Sequence, residues 1–382
     1  MNYPKIPNNP NFSSGPCSKY NGWSINNLGS SFLGRSHRSK EGILRLKNAI
    51  NETGTLLNLP KDYILGIVPG SDTGALEIAL WNILGPRGVD ILAWDSFGSD
   101  WVNDIIHQLS LPNTRVLKAE YGFIPNLKSV NFSNDVVFTW NGTTSGVCVP
   151  NADWIDKYRE GLTICDATSA VFAMDINWEK IDVASFSWQK ALGGEAAHGM
   201  LVLSPRAIKR INEYTPKWPV PKLFNLKKKG KLDLGIFEGL TINTPSMLAV
   251  EEWTNITKWA NSKGGLNFLQ EKTKKNFSII SQFCEKNDWI DFLAEDKLTR
   301  SSTSVCLKIV DPWFSSLNKF EKKKFVSKLI KDLEDRKVAF DIKSYRTAPL
   351  GLRIWCGPTI EKNDLICLMQ CLKYSWESLG KK

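Results

Sequence analysis

The feature that most restricts how this chain can fold is a rhythm between residues 64 and 203, in which short apolar runs alternate with helical segments. Ile64 to Val68 reads as a strand and Gly74 to Leu84 as a helix; Val89 to Trp94 is a strand and Trp101 to Leu109 a helix. Further strands are expected at Val136 to Thr139, Gly161 to Cys165, Val183 to Phe186 and Met200 to Leu203. Strands that alternate with helices imply a mostly parallel sheet covered on both faces. The expected fold class is α/β.

The flanks depart from this rhythm. Residues 1–35 are rich in Pro, Asn, Ser and Gly, as in Pro10-Asn11-Phe12-Ser13-Ser14-Gly15-Pro16, and read as an extended arm. A helix follows from Lys40 to Leu57, capped by Ser39, with Leu44, Ala49 and Ile50 on its buried stripe and Pro60 ending it. Four prolines between 216 and 245 interrupt the pattern again, beside a cationic loop. Amphipathic helices then run from Pro245 to about Ala260 and from Leu266 to Glu285, on either side of Gly264-Gly265. The boundary is placed there: a large domain over 36–264 and a small C-terminal α+β domain over 265–382. The latter reads as strand (Thr303 to Val310), helix (Lys319 to Arg336), strand (Gly351 to Trp355) and helix (Glu361 to Leu379).

A length of 382 residues suits two domains, and 42% hydrophobic with 23% charged residues is a globular balance. No run approaches the roughly 20 apolar residues of a membrane span. The start, Met1-Asn2-Tyr3-Pro4-Lys5-Ile6-Pro7, has no secretory apolar core, so a cytoplasmic protein without a membrane partner is expected. Eight cysteines form no Cys-x-x-Cys pair, and none of His37, His107 and His198 lies near a cysteine pair, so no metal site is expected. The net charge of +10 is not gathered into an aromatic-interleaved stripe, which argues against nucleic acid. Lys227-Lys228-Lys229-Gly230-Lys231 and Lys322-Lys323-Lys324 read as solvated loops or helix faces. The same charge suits phosphorylated or dicarboxylate substrates.

Open α/β sheets bind ligands beyond the carboxyl ends of their strands. Asp166 follows the apolar run Leu162-Thr163-Ile164-Cys165, where a carboxylate is costly unless a cation pairs with it. Lys190 comes 24 residues later, after the next strand. An amine and an acid so placed suit pyridoxal phosphate, which needs a lysine to hold it and an acid to keep its ring nitrogen protonated. Taken alone, that spacing more often means a surface lysine and a strand-capping aspartate. Ser71-Asp72-Thr73-Gly74 opens a helix after a strand and offers free N–H groups to a phosphate, or is a plain helix cap. Trp101 could stack on a flat ring or belong to the core, and Thr139-Trp140-Asn141-Gly142-Thr143-Thr144 ends another strand with hydroxyls.

Six motifs in order carry a resemblance to phosphoserine aminotransferases. They are Asn11-Phe12-Ser13-Ser14-Gly15-Pro16-Cys17, Gly34-Arg35-Ser36-His37-Arg38-Ser39, Ser71-Asp72-Thr73-Gly74, Asp166-Ala167-Thr168-Ser169-Ala170, Ser187-Trp188-Gln189-Lys190 with Gly193-Gly194-Glu195-Ala196-Ala197-His198-Gly199, and Thr241-Ile242-Asn243-Thr244-Pro245-Ser246. The family belongs to the class V aminotransferases of pyridoxal-phosphate fold type I, and the chain most resembles the branch common in alphaproteobacteria. The resemblance implies a seven-stranded large-domain sheet, pyridoxal 5'-phosphate as cofactor and a homodimer with shared sites. It implies Lys190 as the Schiff-base lysine, Asp166 at the ring nitrogen, Trp101 stacked on the ring and Thr143 at the ring hydroxyl. Asp72, Thr73 and Gln189 would lie about the cofactor phosphate, with Asn243 and Thr244 completing it from the second subunit. His37, Arg38 and Arg346 would contact substrate, and Arg353 would grip its α-carboxylate through a bidentate fork.

The implied reaction passes the amino group of L-glutamate to 3-phosphohydroxypyruvate in serine biosynthesis, with the longer phosphorylated substrate of pyridoxal phosphate synthesis as a second candidate acceptor. Two departures stand out. Many members carry an arginine in the turn of Asp72-Thr73, and a histidine where this chain has Tyr345. His198 is either a compensating substrate contact or a structural hydrogen bond, and His107 is taken as structural. Rival readings are another class V activity (alanine–glyoxylate or serine–pyruvate transamination, or desulfuration at Cys148 or Cys356) and a non-catalytic anion-binding protein.

Overall fold

A computed structural model describes residues 3–30 and 32–380. Its first half builds strands β1 (Ile64–Pro69), β2 (Val89–Ala93), β3 (Thr114–Lys118), β4 (Asp135–Thr139), a small hairpin of β5 (Asn141–Gly142) with β6 (Val147–Cys148), then β7 (Thr163–Asp166), β8 (Val183–Ser187) and β9 (His198–Leu203). Seven of these form one sheet in the order β1-β9-β8-β7-β4-β2-β3. The pairs β2–β3, β2–β4, β4–β7 and β7–β8 are parallel. β9 alone runs against its neighbours β8 and β1. The reason is length: ten residues, 188–197, join β8 to β9, too few for the crossover of a dozen or more that a parallel return needs. That short return carries Lys190.

β3 escaped the reading from sequence. Its residues Thr114-Arg115-Val116-Leu117-Lys118 mix charge with apolar groups because it is an edge strand, half exposed. The inner strands β2, β4, β7, β8 and β9 are buried along their whole length, as their apolar runs imply.

Helices α1 (Lys40–Leu56), α2 (Ser71–Ile83), α3 (Ser96–Asn103), α4 (Pro205–Glu213) and α5 (Met247–Ser262) cover the sheet. Ile78, Leu80 and Ile83 of α2 pack with Ile91, Ile164 and Leu201 on one face. Leu46 and Ala49 of α1 join Trp253 of α5, Phe138 and Phe186 on the other. Ser39 caps α1, accepting from Gly42 N at 3.1 Å. Leu44 was expected inside but is 54% exposed; the buried stripe runs through Leu46, Ala49, Ile50, Thr53 and Leu56, and position 44 points away from it. α2 starts three residues before the expected Gly74, because Gly70 at φ 82° turns the chain straight from β1 into the helix. α3 likewise starts at Ser96, and a π-helical turn at Asp104–Gln108 follows it.

The Lys227–Lys231 run, expected as a solvated loop or helix face, is a hairpin of β10 (Lys227–Lys228) and β11 (Lys231–Leu232), turning through Lys229 and Gly230 at φ 52° and 79°. Beyond it, β12 (Ile290–Phe292), β13 (Ser304–Ile309) and β14 (Leu352–Trp355) form an antiparallel sheet, accompanied by α6 (Gly265–Glu285), α7 (Pro312–Ser316), α8 (Lys319–Asp335) and α9 (Lys362–Leu379). The N-terminal arm is strapped to this layer: Phe12 is fully buried and its carbonyl accepts from Trp355 N at 3.0 Å, while Phe340 N donates to Pro10 O at 2.8 Å. No helix among the described residues is long and apolar enough to cross a membrane.

Candidate active site

The carboxyl end of β7 places Asp166, and the β8–β9 return places Lys190, both buried. The arm closes over the lysine. Lys190 Nζ donates to the Ser14 carbonyl, and Cys17 N donates to Gln189 O at 2.8 Å. Gly15 leaves the space the amine occupies, since a Cβ there would stand 2.5 Å from Nζ. Burial holds the Lys190 amine below its ordinary pKa, and the nearby Arg353 charge adds to that. Sequence reasoning missed Ser14, although it lies in a quoted motif; a carbonyl ligand leaves no side-chain signal.

Asp166 accepts from Trp101 Nε1 at 3.2 Å and from Thr168 N at 3.1 Å. Beside Asp166 stands a second carboxyl, that of Asp72. Burial first, and Asp72 next, push the Asp166 carboxyl up to about 8. Burial also raises Asp72, whose side chain is turned inward toward Thr168, Ser185 and Asp166. Two carboxyls in one dry site do not both ionise, so the pair keeps a proton. The Asp72 side chain thus faces Asp166, while exposed Thr73 stays at the start of α2. No side chain caps α2, which leaves its first N–H groups free for an anion.

Gln189 Oε1 and Arg353 Nε, buried near these groups, have no partner. Buried polar atoms are ordinarily hydrogen-bonded, so this set fits a polar guest. An uncapped helix start, a buried amine and a buried acid beside an indole are the donor and acceptor set that pyridoxal phosphate requires. Thr143 lies buried in the β5–β6 turn, donating to Ser169 Oγ at 2.8 Å, with its carbonyl bound by Ser304 Oγ at 2.7 Å.

Arg353 reaches the site from β14. Its guanidinium carbon lies 5.5 Å from the centre of the Tyr345 ring, and that of exposed Arg346 lies 5.6 Å from the same ring. His198 at the start of β9 is buried, and its Nε2 accepts from Ser246 N at 3.0 Å. Burial lowers its pKa to about 4, so it stays neutral. Of its two readings, the geometry matches the structural hydrogen bond, and a neutral ring with Nε2 engaged is poorly suited to a phosphate.

His37 and Arg38 precede α1, and Asn243 and Thr244 precede α5. Arg45 pairs with Glu251 and Thr257 Oγ1 donates to Glu52 at 2.7 Å, so α1 and α5 run parallel and present their N-terminal ends together. Arg38, Asn243 and Thr244 are exposed there and His37 half-buried, its pKa lowered by burial and then by Arg38. Among the described residues, no hydrogen bond or ion pair joins these four to Lys190, Asp166 or Asp72.

Cys148 and Cys356 are buried, and burial raises both thiols, Cys148 to about 12, which leaves neither as an exposed nucleophile for desulfuration.

No protein-family model matches the chain. Phosphoserine aminotransferase of Methanosarcina mazei is 58% identical to it over 373 residues, 98% of each chain. That of Methanosarcina barkeri is 58% identical over 372 residues, 97% of this chain and 98% of the relative. A solved phosphoserine aminotransferase from Cytophaga hutchinsonii, 21% identical, matches with a TM-score of 0.78 over 97% of this chain and 99% of its own. Pyridoxamine-pyruvate aminotransferase from Mesorhizobium loti, 16% identical, matches at 0.80 over 100% and 95%. The distant structures speak for the fold, that of pyridoxal-phosphate-dependent aminotransferases. The near-full-length Methanosarcina matches decide the rest: the chain belongs to the phosphoserine aminotransferase family.

Proposed function

We propose that this enzyme transfers the amino group of L-glutamate to 3-phosphohydroxypyruvate, yielding O-phospho-L-serine and 2-oxoglutarate, with pyridoxal 5'-phosphate held at Lys190. The observation that carries the reading is the buried Lys190 amine, held by the Ser14 carbonyl beneath the arm, with Asp166 at the end of the neighbouring strand. When bound, the cofactor supplies an electron sink for the charge left at the substrate Cα. Asp166 would hold the ring nitrogen, Trp101 the ring face and Thr143 the ring hydroxyl. The first turn of α2, with Thr73 and Gln189, would hold the phosphate. Asp72, beside Asp166, would keep a proton in that pair rather than touch the phosphate.

Lys190, whose basicity burial lowers, takes the substrate Cα proton at Nζ. The Ser14 carbonyl orients that amine between strokes. Arg353 fixes the α-carboxylate with its planar fork, so the Cα–H bond keeps one orientation. Arg346 meets the phosphate of one substrate and the side-chain carboxylate of the other.

His37, Arg38, Asn243 and Thr244 would serve the site of a second copy. Their common exposed location supports this, as do Leu44 and Leu248, 54% and 45% exposed on the neighbouring α1 and α5. An apolar patch beside a cluster of polar site residues suits a two-fold interface. All eight cysteines are free, which is in keeping with a reducing cytoplasm.

The test is turnover of purified, cofactor-loaded enzyme with glutamate and either 3-phosphohydroxypyruvate or glyoxylate. Preference for the phosphorylated acceptor is expected. Preference for glyoxylate would move the enzyme to another class V activity, and a protein that stays colourless with added cofactor would be a mere binder of anions.

A further inference from the structure

Residues 343–350 lead into β14 and carry Tyr345 and Arg346. This segment is fastened at two adjacent points to the start of α3. Thr347 Oγ1 bonds Ser96 Oγ, which lies 2.8 Å from Tyr121 Oη. Tyr121 Oη in turn reaches Thr144 Oγ1 at 3.3 Å and Thr347 Oγ1 at 3.4 Å. Thr144 is itself anchored, because its N and Oγ1 both donate to the buried Asp95 carboxylate, at 3.1 and 3.0 Å. The same carboxylate caps α3 through Gly98 N at 2.9 Å. Next to Ser96, Phe97 packs against Tyr345 with ring centres 5.7 Å apart.

Both guanidinium groups of the substrate site rest near that one tyrosine ring. Two like charges drift apart unless something holds them before the substrate anion arrives. A carboxylate could do so, but it would compete with the substrate. An aromatic face attracts cations without carrying a charge of its own. We infer that Tyr345 is a positioning residue of the substrate site, its ring setting the spacing of Arg346 and Arg353 and the Ser96–Tyr121–Thr144–Thr347 hydroxyl cluster holding the ring. The inference rests on the assignment of Arg346 and Arg353 to the substrate's anionic ends. It gives a purpose to the departure at this position: where many family members bring a histidine, this chain brings a neutral platform.

Steady-state kinetics of the cofactor-loaded enzyme test it. Tyr345→Leu is expected to raise KM for 3-phosphohydroxypyruvate about tenfold with kcat within about twofold, the pattern of lost binding without lost chemistry. Tyr345→Phe keeps the ring and holds KM within about twofold of the parent. Thr347→Val loosens the segment from its other side and raises KM about fivefold, while Thr347→Ser restores it. Cofactor absorbance and affinity stay unchanged in all four. An unchanged KM in Tyr345→Leu, equal damage in Tyr345→Phe, or a loss confined to kcat overturns the inference. If Tyr345→Leu does not fold, the Thr347 pair decides. Failure of the parent enzyme to use 3-phosphohydroxypyruvate would instead sink the substrate assignment itself.

Discussion

Trp101 donates its indole N–H to Asp166 Oδ2 at 3.2 Å, so the ring expected to stack on the cofactor is also the support of the acid expected to meet the ring nitrogen. One side chain serves two contacts because α3 starts at Ser96, right after β2, and brings position 101 over the end of β7.

Replacing Trp101 with Phe keeps a stacking ring and removes that donor. A hydrogen bond to a charged group contributes about 1.5–3 kcal/mol, so cofactor affinity should fall between about tenfold and a hundredfold. An absorbance titration measures this, and an unchanged dissociation constant would show that Asp166 does not depend on the indole.

Lys190→Ala should lower the rate of amino transfer from glutamate by at least about a thousandfold, since the proton at Cα loses its base. The remaining contacts should still hold the cofactor, with the absorbance of the free aldehyde. Near-normal single-turnover rates without added amine would remove Lys190 from its role.

His198 links stability to acid. Its folded pKa of about 4 lies below its ordinary 6.5, so the unfolded chain binds a proton first as the pH falls. Stability of the cofactor-free protein should therefore be full above pH 6.5 and decline toward pH 4, by up to about 3 kcal/mol from this group. Urea unfolding of wild type and His198→Gln across that window should show a flatter profile in the variant.

Asp166 works in the opposite direction. Its folded pKa near 8 lies above the ordinary 3.8, so the folded cofactor-free protein holds a proton that the unfolded chain has released. This contribution is complete below pH 3.8 and is lost as the pH rises through 8. Asp166→Asn should accordingly gain stability over wild type at pH 8 and show none of that gain near pH 4, while losing most of its cofactor affinity at both.

Leu44→Arg together with Leu248→Arg puts two charges into the patch between α1 and α5. If that patch joins two copies, sedimentation should show a shift from dimer to monomer, and turnover should drop at least about tenfold because a desolvated charge is costly at an interface. A monomeric wild type with full activity would end the shared-site proposal.

The strand–helix rhythm was readable because buried parallel strands must be apolar on both faces, and β2, β4, β7, β8 and β9 all announce themselves that way. β3 was not readable, since an edge strand obeys no such demand. Leu44 misled for a related reason: an apolar residue on α1 marks the core or an exposed patch, and only the packing of Leu46 and Ala49 distinguishes them. Asp166 and Lys190 were nameable in advance as a strand-end acid and a lysine past the next strand, with the family motifs adding their expected roles.

By itself, the amino-acid sequence determined the α/β layering, the motif order and hence the family, because periodicity and local motifs are written in neighbouring residues. Only the tertiary structure decided that Asp72 stands beside Asp166, and that the Ser14 carbonyl holds the Lys190 amine. It also decided that Tyr345 stands between two arginines and the start of α3. The pairs Asp72–Asp166, Ser14–Lys190 and Phe97–Tyr345 lie 94, 176 and 248 residues apart, and nothing in a local stretch of chain encodes which distant side chain will fill the space beside a buried charge.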